Sequence, residues 1–113
     1  MSHVNESDSD VTTERQQLMA SARAGSSSSL GQLLETFRTY LLLIAEDELE
    51  SGLRHRVSPS DVVQESCLEA QRDFCLFQGS SEEEFRGWLR RLTLNNIKNI
   101  ERAHLDAEKR DVR

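Results

Sequence analysis

The sequence predicts an all-α fold, a small bundle of three to four helices. One proline and five glycines in 113 residues leave few helix breakers. An all-β sandwich or barrel needs turn signals every ~8–12 residues, and the chain has too few of them. Apolar residues recur three and four positions apart over long stretches, which is the period of a helix with one buried face. These observations together favour helices along most of the chain.

The first ten residues are mainly serine and acid, with almost nothing to bury, so we expect a disordered tail over residues 1–10. The folded domain is expected over residues 11–113. A weak helical pattern covers residues 11–24, and the serine-rich run at residues 25–29 predicts a turn. The candidate N-caps are Thr12 or Thr13 for the first helix and Ser28 or Ser29 for the second.

A second helix is predicted over residues 30–50, with Gly52 suited to the left-handed position after its end. Its apolar residues cover more than half of the circumference, so we expect it at the centre of the bundle. They are Leu30, Leu33, Leu34, Phe37, Tyr40, Leu41, Leu42, Leu43, Ile44 and Ala45. Its acidic end could hold a metal or a partner, but solvated carboxylates are the simpler interpretation.

A third helix is predicted over residues 59–77, and it has the clearest start signal. Ser58 stands at the N-cap, a proline follows, and Asp61 lies three residues after the cap. Val57 and Val62 have the spacing of a hydrophobic staple across that cap.

The two faces of this third helix differ in chemistry. One face is apolar: Val63, Cys67, Ala70, Phe74 and Phe77. The opposite face is polar except for one leucine: Asp61, Gln64, Glu65, Leu68, Glu69 and Arg72. A single exposed leucine needs no explanation, yet a leucine inside a polar ring is also typical of a protein interface. The pattern alone leaves both interpretations open.

A loop at residues 78–81 precedes a fourth helix that begins with three glutamates and is expected to fray after Asp106. Its apolar face carries Phe85, Trp88, Leu89, Leu92, Asn96, Ile100, Ala103 and Ala107. A second face carries a stripe of basic and amide residues: Arg91, Asn95, Lys98, Arg102 and Lys109. Arg86 and Arg90 flank the apolar face on its other side. Such a stripe could neutralise successive phosphates of a nucleic acid or simply be solvated.

Charge is distributed unevenly, although the whole chain has a net charge of −6. Residues 1–84 carry 6 basic and 16 acidic side chains, and residues 85–113 carry 8 basic and 4 acidic side chains. An acidic body with one basic helix can specify two different partners.

Several classes of protein are disfavoured. The longest apolar run is five residues, against ~20 for a membrane span, and the N-terminus lacks the features of a signal peptide, so we expect an intracellular chain. Cys67 and Cys75, about 12 Å apart on one predicted helix, are expected to be buried and reduced. No histidine has metal-ligand spacing and no serine has a nucleophile motif, so no enzyme, cofactor or metal is expected.

Two segments resemble bacterial sigma factors of the extracytoplasmic-function (ECF) group. SPSDVVQESCLEA at residues 58–70 is similar to the family pattern D-[LV]-V-Q-E-[TS]-x-L-x-A in the polymerase-binding helix. FRGWLRRLTLNN at residues 85–96 is similar to F-R-x-W-L-x-R-I-x-x-N, which begins the promoter-contacting helix. The resemblance extends over residues 18–104 and implies the first folded domain of such a factor.

The resemblance implies a role for each matching residue. The positions that dock on the β′ clamp helices of RNA polymerase are Asp61, Gln64, Glu65 and Leu68, with Glu69 on the same face. The positions on the helix that meets the −10 promoter element are Arg86, Arg90, Arg91, Asn95, Lys98 and Arg102. The loop of Gln78, Gly79, Ser80 and Ser81 matches the segment that captures a flipped base of the non-template strand. For Trp88 a packing role is favoured over a DNA contact.

The chain also departs from the family. Leu94 stands where many members have arginine, and the basic residues after position 100 alternate with four acids. A working ECF factor has a second domain that reads the −35 element, and no helix-turn-helix follows Arg113, which predicts a fragment or a single-domain relative. An anti-sigma factor is a further candidate partner. The alternative function is a helical adaptor or decoy that binds polymerase without reading DNA.

Overall fold

The computed structural model of the protein describes the backbone of residues 4–111 and the side chains of residues 13–110. This part of the chain contains no strand, so the all-α prediction is confirmed. Four helices form the bundle: α1 (Val4–Arg23), α2 (Ser27–Glu48), α3 (Pro59–Asp73) and α4 (Glu82–Asp111). Short 3₁₀ turns occur at Ser51–Leu53 and Phe74–Leu76. Across residues 4–111, no helix combines the length and the apolar character that crossing a membrane requires.

The start of α1 differs from the expectation of a disordered tail over residues 1–10. The helix already includes residues 4–10, while residues 1–3 lie outside the described part of the chain. Val4 is the single apolar residue among residues 4–10, so apolar periodicity does not predict a helix there.

The turn between α1 and α2 is shorter than predicted. Gly25 adopts a left-handed conformation with φ 106°, and the backbone N–H of Ser26 donates to the carbonyl of Ser21. Because this reversal takes a single glycine, the N-cap of α2 is Ser26, not Ser28 or Ser29. The hydroxyl of Ser26 accepts a hydrogen bond from the N–H of Ser29 at 3.1 Å.

Helix α2 is central, as predicted, because it packs against α1, α3 and α4. Leu43 is the exception to its wide apolar stripe and is 62% exposed. The helix ends at Glu48, and Gly52 lies inside a 3₁₀ turn without a positive φ, so the predicted left-handed cap is wrong. The chain instead inserts Leu49 and Leu53 into the core. The buried residues of α2 itself are Leu30, Leu33, Leu34, Phe37, Leu41 and Ala45.

Helix α3 begins as predicted, with the Ser58 hydroxyl accepting from the N–H of Asp61 at 3.2 Å. It ends at Asp73, four residues before the predicted end at Phe77. The tighter 3₁₀ turn that follows directs Phe74 and Phe77 into the core and leaves Cys75 exposed. The prediction that Cys75 is buried is therefore wrong.

An aromatic cluster lies where the start of α4 meets α2 and the end of α3. Phe85 is fully buried and packs edge-to-face against Phe37, Phe74 and Phe77 at centroid distances of 5.5–5.9 Å. Trp88 packs beside Phe77 with the ring centroids 5.2 Å apart and the ring planes tilted by 30°. Such pairs add about 0.5–1.5 kcal/mol each beyond the burial of area, so this cluster helps to hold the start of α4 on the body.

Helix α4 continues to Asp111, beyond the expected fraying at Asp106. Lys109 and Arg110 in its last turn interact favourably with the negative end of the helix dipole. The buried face of α4 also includes Thr93, whose hydroxyl donates to the carbonyl of Leu89 at 2.9 Å, and Ile97. Neither residue is in the predicted apolar face.

Candidate functional site

The polar side of α3 is presented to solvent. Asp61, Gln64 and Glu65 are exposed, and Leu68 is 49% exposed among them. We call these four residues the α3 face. The face points outward because Val62, Val63, Ser66 and Ala70 on the other side are buried against α2 and α4.

Glu69 differs from the other polar residues predicted for this surface. It is half-buried, and its carboxylate accepts a hydrogen bond from the side-chain amide of Asn96 on α4 at 3.1 Å. The same amide nitrogen donates to the hydroxyl of the fully buried Ser66 at 2.9 Å, and Ser66 donates to the carbonyl of Val62. Glu69 therefore belongs to a polar link between α3 and α4 and is less available to a partner.

Arg38 on α2 adjoins the α3 face, and the sequence pattern did not indicate this. Its guanidinium donates to the side-chain oxygen of Gln64 at 3.3 Å, which leaves the NH₂ group of Gln64 free to donate outward. Cys67 is half-buried near Arg38. Burial raises the pKa of its thiol, the positive charge of Arg38 lowers it, and the negative charge of Glu35 raises it further. A charged residue on the mostly apolar α2 is the one signal that could have drawn attention to Arg38.

A shallow cavity of about 300 Å³ borders the α3 face on the side of α4. Val57, Val62 and Ile100 form much of its wall, and Asp61 and Glu65 of the α3 face also line it. Neither Val57 nor Ile100 was predicted as part of a site, since they come from a loop and from another helix.

The basic stripe of α4 is exposed along its length. Arg91, Asn95, Lys98 and Arg102 lie at steps of 4, 3 and 4 residues, which places them along one side of the helix. None of their side chains forms a salt bridge or hydrogen bond with another side chain described between residues 13 and 110.

Arg86 and Arg90 lie apart from this stripe. Both are exposed, but the guanidinium of Arg86 lies 5.6 Å from the centre of the Tyr40 ring on α2. At 100° per residue, Arg86 and Arg90 are turned by roughly 100° from Arg91 and Lys98 around the helix. The predicted DNA-contacting residues thus form two groups on α4.

The loop of residues 78–81 borders an open pocket of about 550 Å³. The half-buried Trp88 supplies aromatic surface, the almost fully buried Phe77 ring packs against it, and Arg91 brings the first cation of the basic stripe to the pocket. Leu76 is 69% exposed at the same place. Trp88 therefore both packs against the aromatic cluster and lines this pocket. The remaining lining residues are Gln78, Gly79, Glu83, Glu84 and Gly87.

The loop is held in one shape by a reciprocal cap at the start of α4. The hydroxyl of Ser81 accepts from the N–H of Glu84 at 3.0 Å, and the Glu84 carboxylate accepts from the N–H groups of Ser80 and Ser81. These hydrogen bonds hold the pKa of the Glu84 carboxyl below its usual value, and the bond from the Ser80 N–H has the largest effect. Gly79 is required, because a Cβ there would meet the Phe77 ring at 2.6 Å.

The two surfaces differ in the groups that they present to solvent. The α3 face presents an amide and two carboxylates around a leucine, and α4 presents cations beside Trp88. No group of three or more histidine, cysteine or acidic residues in the described part of the chain is arranged to hold a metal ion.

Comparison of this chain with family models, with curated proteins and with solved structures finds no match.

Proposed function

We propose that this chain is a transcription initiation factor of the ECF sigma type that acts in the cytoplasm. In this proposal its folded domain binds the β′ clamp of RNA polymerase and recognises and helps to open the −10 promoter element. One observation carries the proposal: one bundle exposes an anchor-and-rim face on α3 and, on α4, an unpaired cationic stripe that starts at an aromatic pocket. Polymerase and single-stranded DNA are partners with the chemistry that these two surfaces fit.

The α3 face supports the first half of the proposal. Leu68 offers an apolar anchor, and Asp61, Gln64 and Glu65 offer a rim that favours a basic partner helix. Complementary charge speeds the encounter and fixes the register of the two surfaces. Glu69 contributes indirectly, because its bond to Asn96 keeps α3 and α4 in a constant relative position.

The second half rests on α4 and the loop before it. Arg91, Lys98 and Arg102 are free to neutralise phosphates, and the Asn95 amide beside them can bond to a base edge or a sugar. Trp88, which the buried Phe77 ring supports, provides aromatic surface on which an unpaired base can stack. Strand opening is favoured because an unpaired base gains contacts in this pocket that a stacked base pair cannot make.

An adaptor or decoy that binds polymerase without reading DNA remains the second candidate. Glu83 and Glu84 at the edge of the pocket favour it, because their carboxylates repel phosphates. The adaptor requires the α3 face but neither the stripe nor the pocket.

The test measures two binding events with the intact chain. One assay titrates the β′ clamp, and the other titrates single-stranded −10-like DNA against the complex with core polymerase. Glu65→Arg reverses a charge at the centre of the α3 face, so clamp binding should be lost while the fold is retained. The matched control is Glu48→Arg, an exposed acid at the end of α2.

In the second assay, Arg91→Ala with Lys98→Ala should weaken DNA binding and leave clamp binding intact. Loss of two phosphate contacts should lower the slope of log affinity against log salt by about 1.4, at ~0.7 per contact on a single strand. Arg56→Ala with Arg110→Ala is the charge-matched control, because both side chains are exposed and lie outside the basic stripe. Wild-type clamp affinity of Glu65→Arg would contradict the docking role, and unchanged promoter opening by the double variant would favour the adaptor.

A further inference from the structure

Two arginines of α1 contact the loop of residues 78–81 at its two ends. The Arg23 guanidinium donates to the carbonyl oxygen of Phe77, the residue before the loop, at 2.7 Å. The Arg15 guanidinium pairs with the carboxylate of Glu82, the residue after the loop, also at 2.7 Å. The loop is therefore attached at both ends to a helix more than fifty residues away in sequence.

Arg23 also reaches the wall of the aromatic pocket. Its guanidinium lies 4.7 Å from the centre of the Phe77 ring and 5.4 Å from that of Phe74. The Phe77 ring packs on Trp88 at 5.2 Å, and both line the pocket. A change at Arg23 is thus transmitted through one ring to the surface on which a base would stack.

The loop itself has few other constraints. Glu84 binds the N–H groups of Ser80 and Ser81 from α4, and the Gln78 side chain is exposed. Without the α1 contacts, the loop is held only by the buried Phe77 ring on one side and by the Glu84 cap on the other, so the backbone between them has more freedom beside the pocket. Holding such a segment in its bound shape removes an ordering cost from ligand capture.

We infer that Arg15 and Arg23 form an arginine clamp that positions the loop of residues 78–81 and keeps the pocket in a shape ready for an unpaired base. Both are positioning residues, and α1 thereby becomes part of the DNA-binding apparatus. The inference rests on the proposed function for its ligand, but the clamp itself can be measured without DNA.

The experiment compares Arg15→Gln, Arg23→Gln and the double variant with the wild-type chain. In the free protein, amide exchange of Ser80 and Ser81 should accelerate about tenfold in either single variant, as loss of one charge-assisted hydrogen bond implies. The fluorescence of Trp88, the single tryptophan of the chain, should shift in Arg23→Gln. Exchange of the buried Leu89 amide should stay unchanged, because the core is intact.

With core polymerase present, Arg15→Gln and Arg23→Gln should each bind single-stranded −10-like DNA more weakly than the wild-type chain, while clamp binding is unchanged. Arg15→Lys keeps the charge facing Glu82 and should restore the exchange rates and the DNA affinity. Arg110→Gln, at the far end of α4 and outside the basic stripe, is the control for loss of one positive charge.

Unchanged exchange of Ser80 and Ser81 in the double variant would overturn the clamp, whatever the DNA assay gives. Faster exchange with wild-type DNA affinity would overturn its positioning role. If the wild-type chain fails to bind DNA in the polymerase complex, the proposed function is overturned instead. The DNA-binding measurement on the wild-type chain therefore separates failure of the proposed function from failure of the clamp.

Discussion

The connection from α2 to α3 and the connection from α3 to α4 each contain one 3₁₀ turn, and at each an arginine side chain donates hydrogen bonds to the backbone. In the first connection, Arg54 donates to the carbonyls of Glu46 and Leu49, only eight and five residues earlier. In the second, Arg23 reaches the carbonyl of Phe77 across 54 residues. The first connection is closed by local contacts, and the second depends on the docking of α1.

Their apolar anchors differ as well. Leu49 and Leu53 insert aliphatic side chains into the core from the first connection. Phe74 and Phe77 insert aromatic rings from the second and meet Phe85 there. The comparison indicates that the first connection serves the fold, whereas the second couples the fold to an open pocket.

The largest expected effect is on stability. Phe77→Ala should lower the free energy of unfolding by about 3–5 kcal/mol, because it leaves a cavity among three other rings. Leu53→Ala should cost about 2 kcal/mol or more by the same mechanism. Urea denaturation followed by circular dichroism measures both, and Trp88 emission of the folded state should change only in Phe77→Ala. An equal emission change in both variants would contradict the separation of the two connections.

A smaller effect is expected at the helix caps that follow the connections. Ser58→Ala and Ser81→Ala each remove a side-chain acceptor from a helix N-terminus, which costs about 1 kcal/mol. Ser81→Ala should cost more, since the reciprocal bonds of Glu84 to the loop depend on the same geometry. Thermal unfolding of the two variants measures the difference. A larger loss from Ser58→Ala would show that the reciprocal cap adds nothing.

The smallest effect concerns pH. Hydrogen bonds from Ser80 and Ser81 lower the pKa of Glu84 in the folded chain, so its stabilising contribution is complete above about 4.3, the ordinary value for a glutamate. That contribution is lost as the pH falls through the lower folded value. Amide exchange of Ser80 and Ser81, corrected for intrinsic rates, should accelerate over this acid range. Glu84→Gln should abolish this acid dependence of amide exchange. Amides of the first connection should not respond to the titration of Glu84.

The predictable parts of the site are those that depend on neighbours along the chain. The exposed α3 face follows from helical period and from the Ser58 cap, because opposite sides of one helix must face core and solvent. The exposure of Arg91 and Lys98 follows in the same way from the apolar face of α4. Glu69 was assigned to the exposed surface by the same rule, and its bond to Asn96 shows where a contact from another helix outweighs it.

Helix positions, the all-α class and the uneven charge all follow from residues close together in the chain, since period, caps and composition act over a few turns. The early end of α3, the exposure of Cys75 and the contacts of Arg38, Arg15 and Arg23 do not. Each depends on which side chains meet after α1, α2 and α4 have packed, and no local pattern encodes a contact across 26 to 67 residues. Burial of Phe74 and Phe77 among the other rings outweighs about one further turn of helix, so packing sets the shape of the loop and of the pocket beside it.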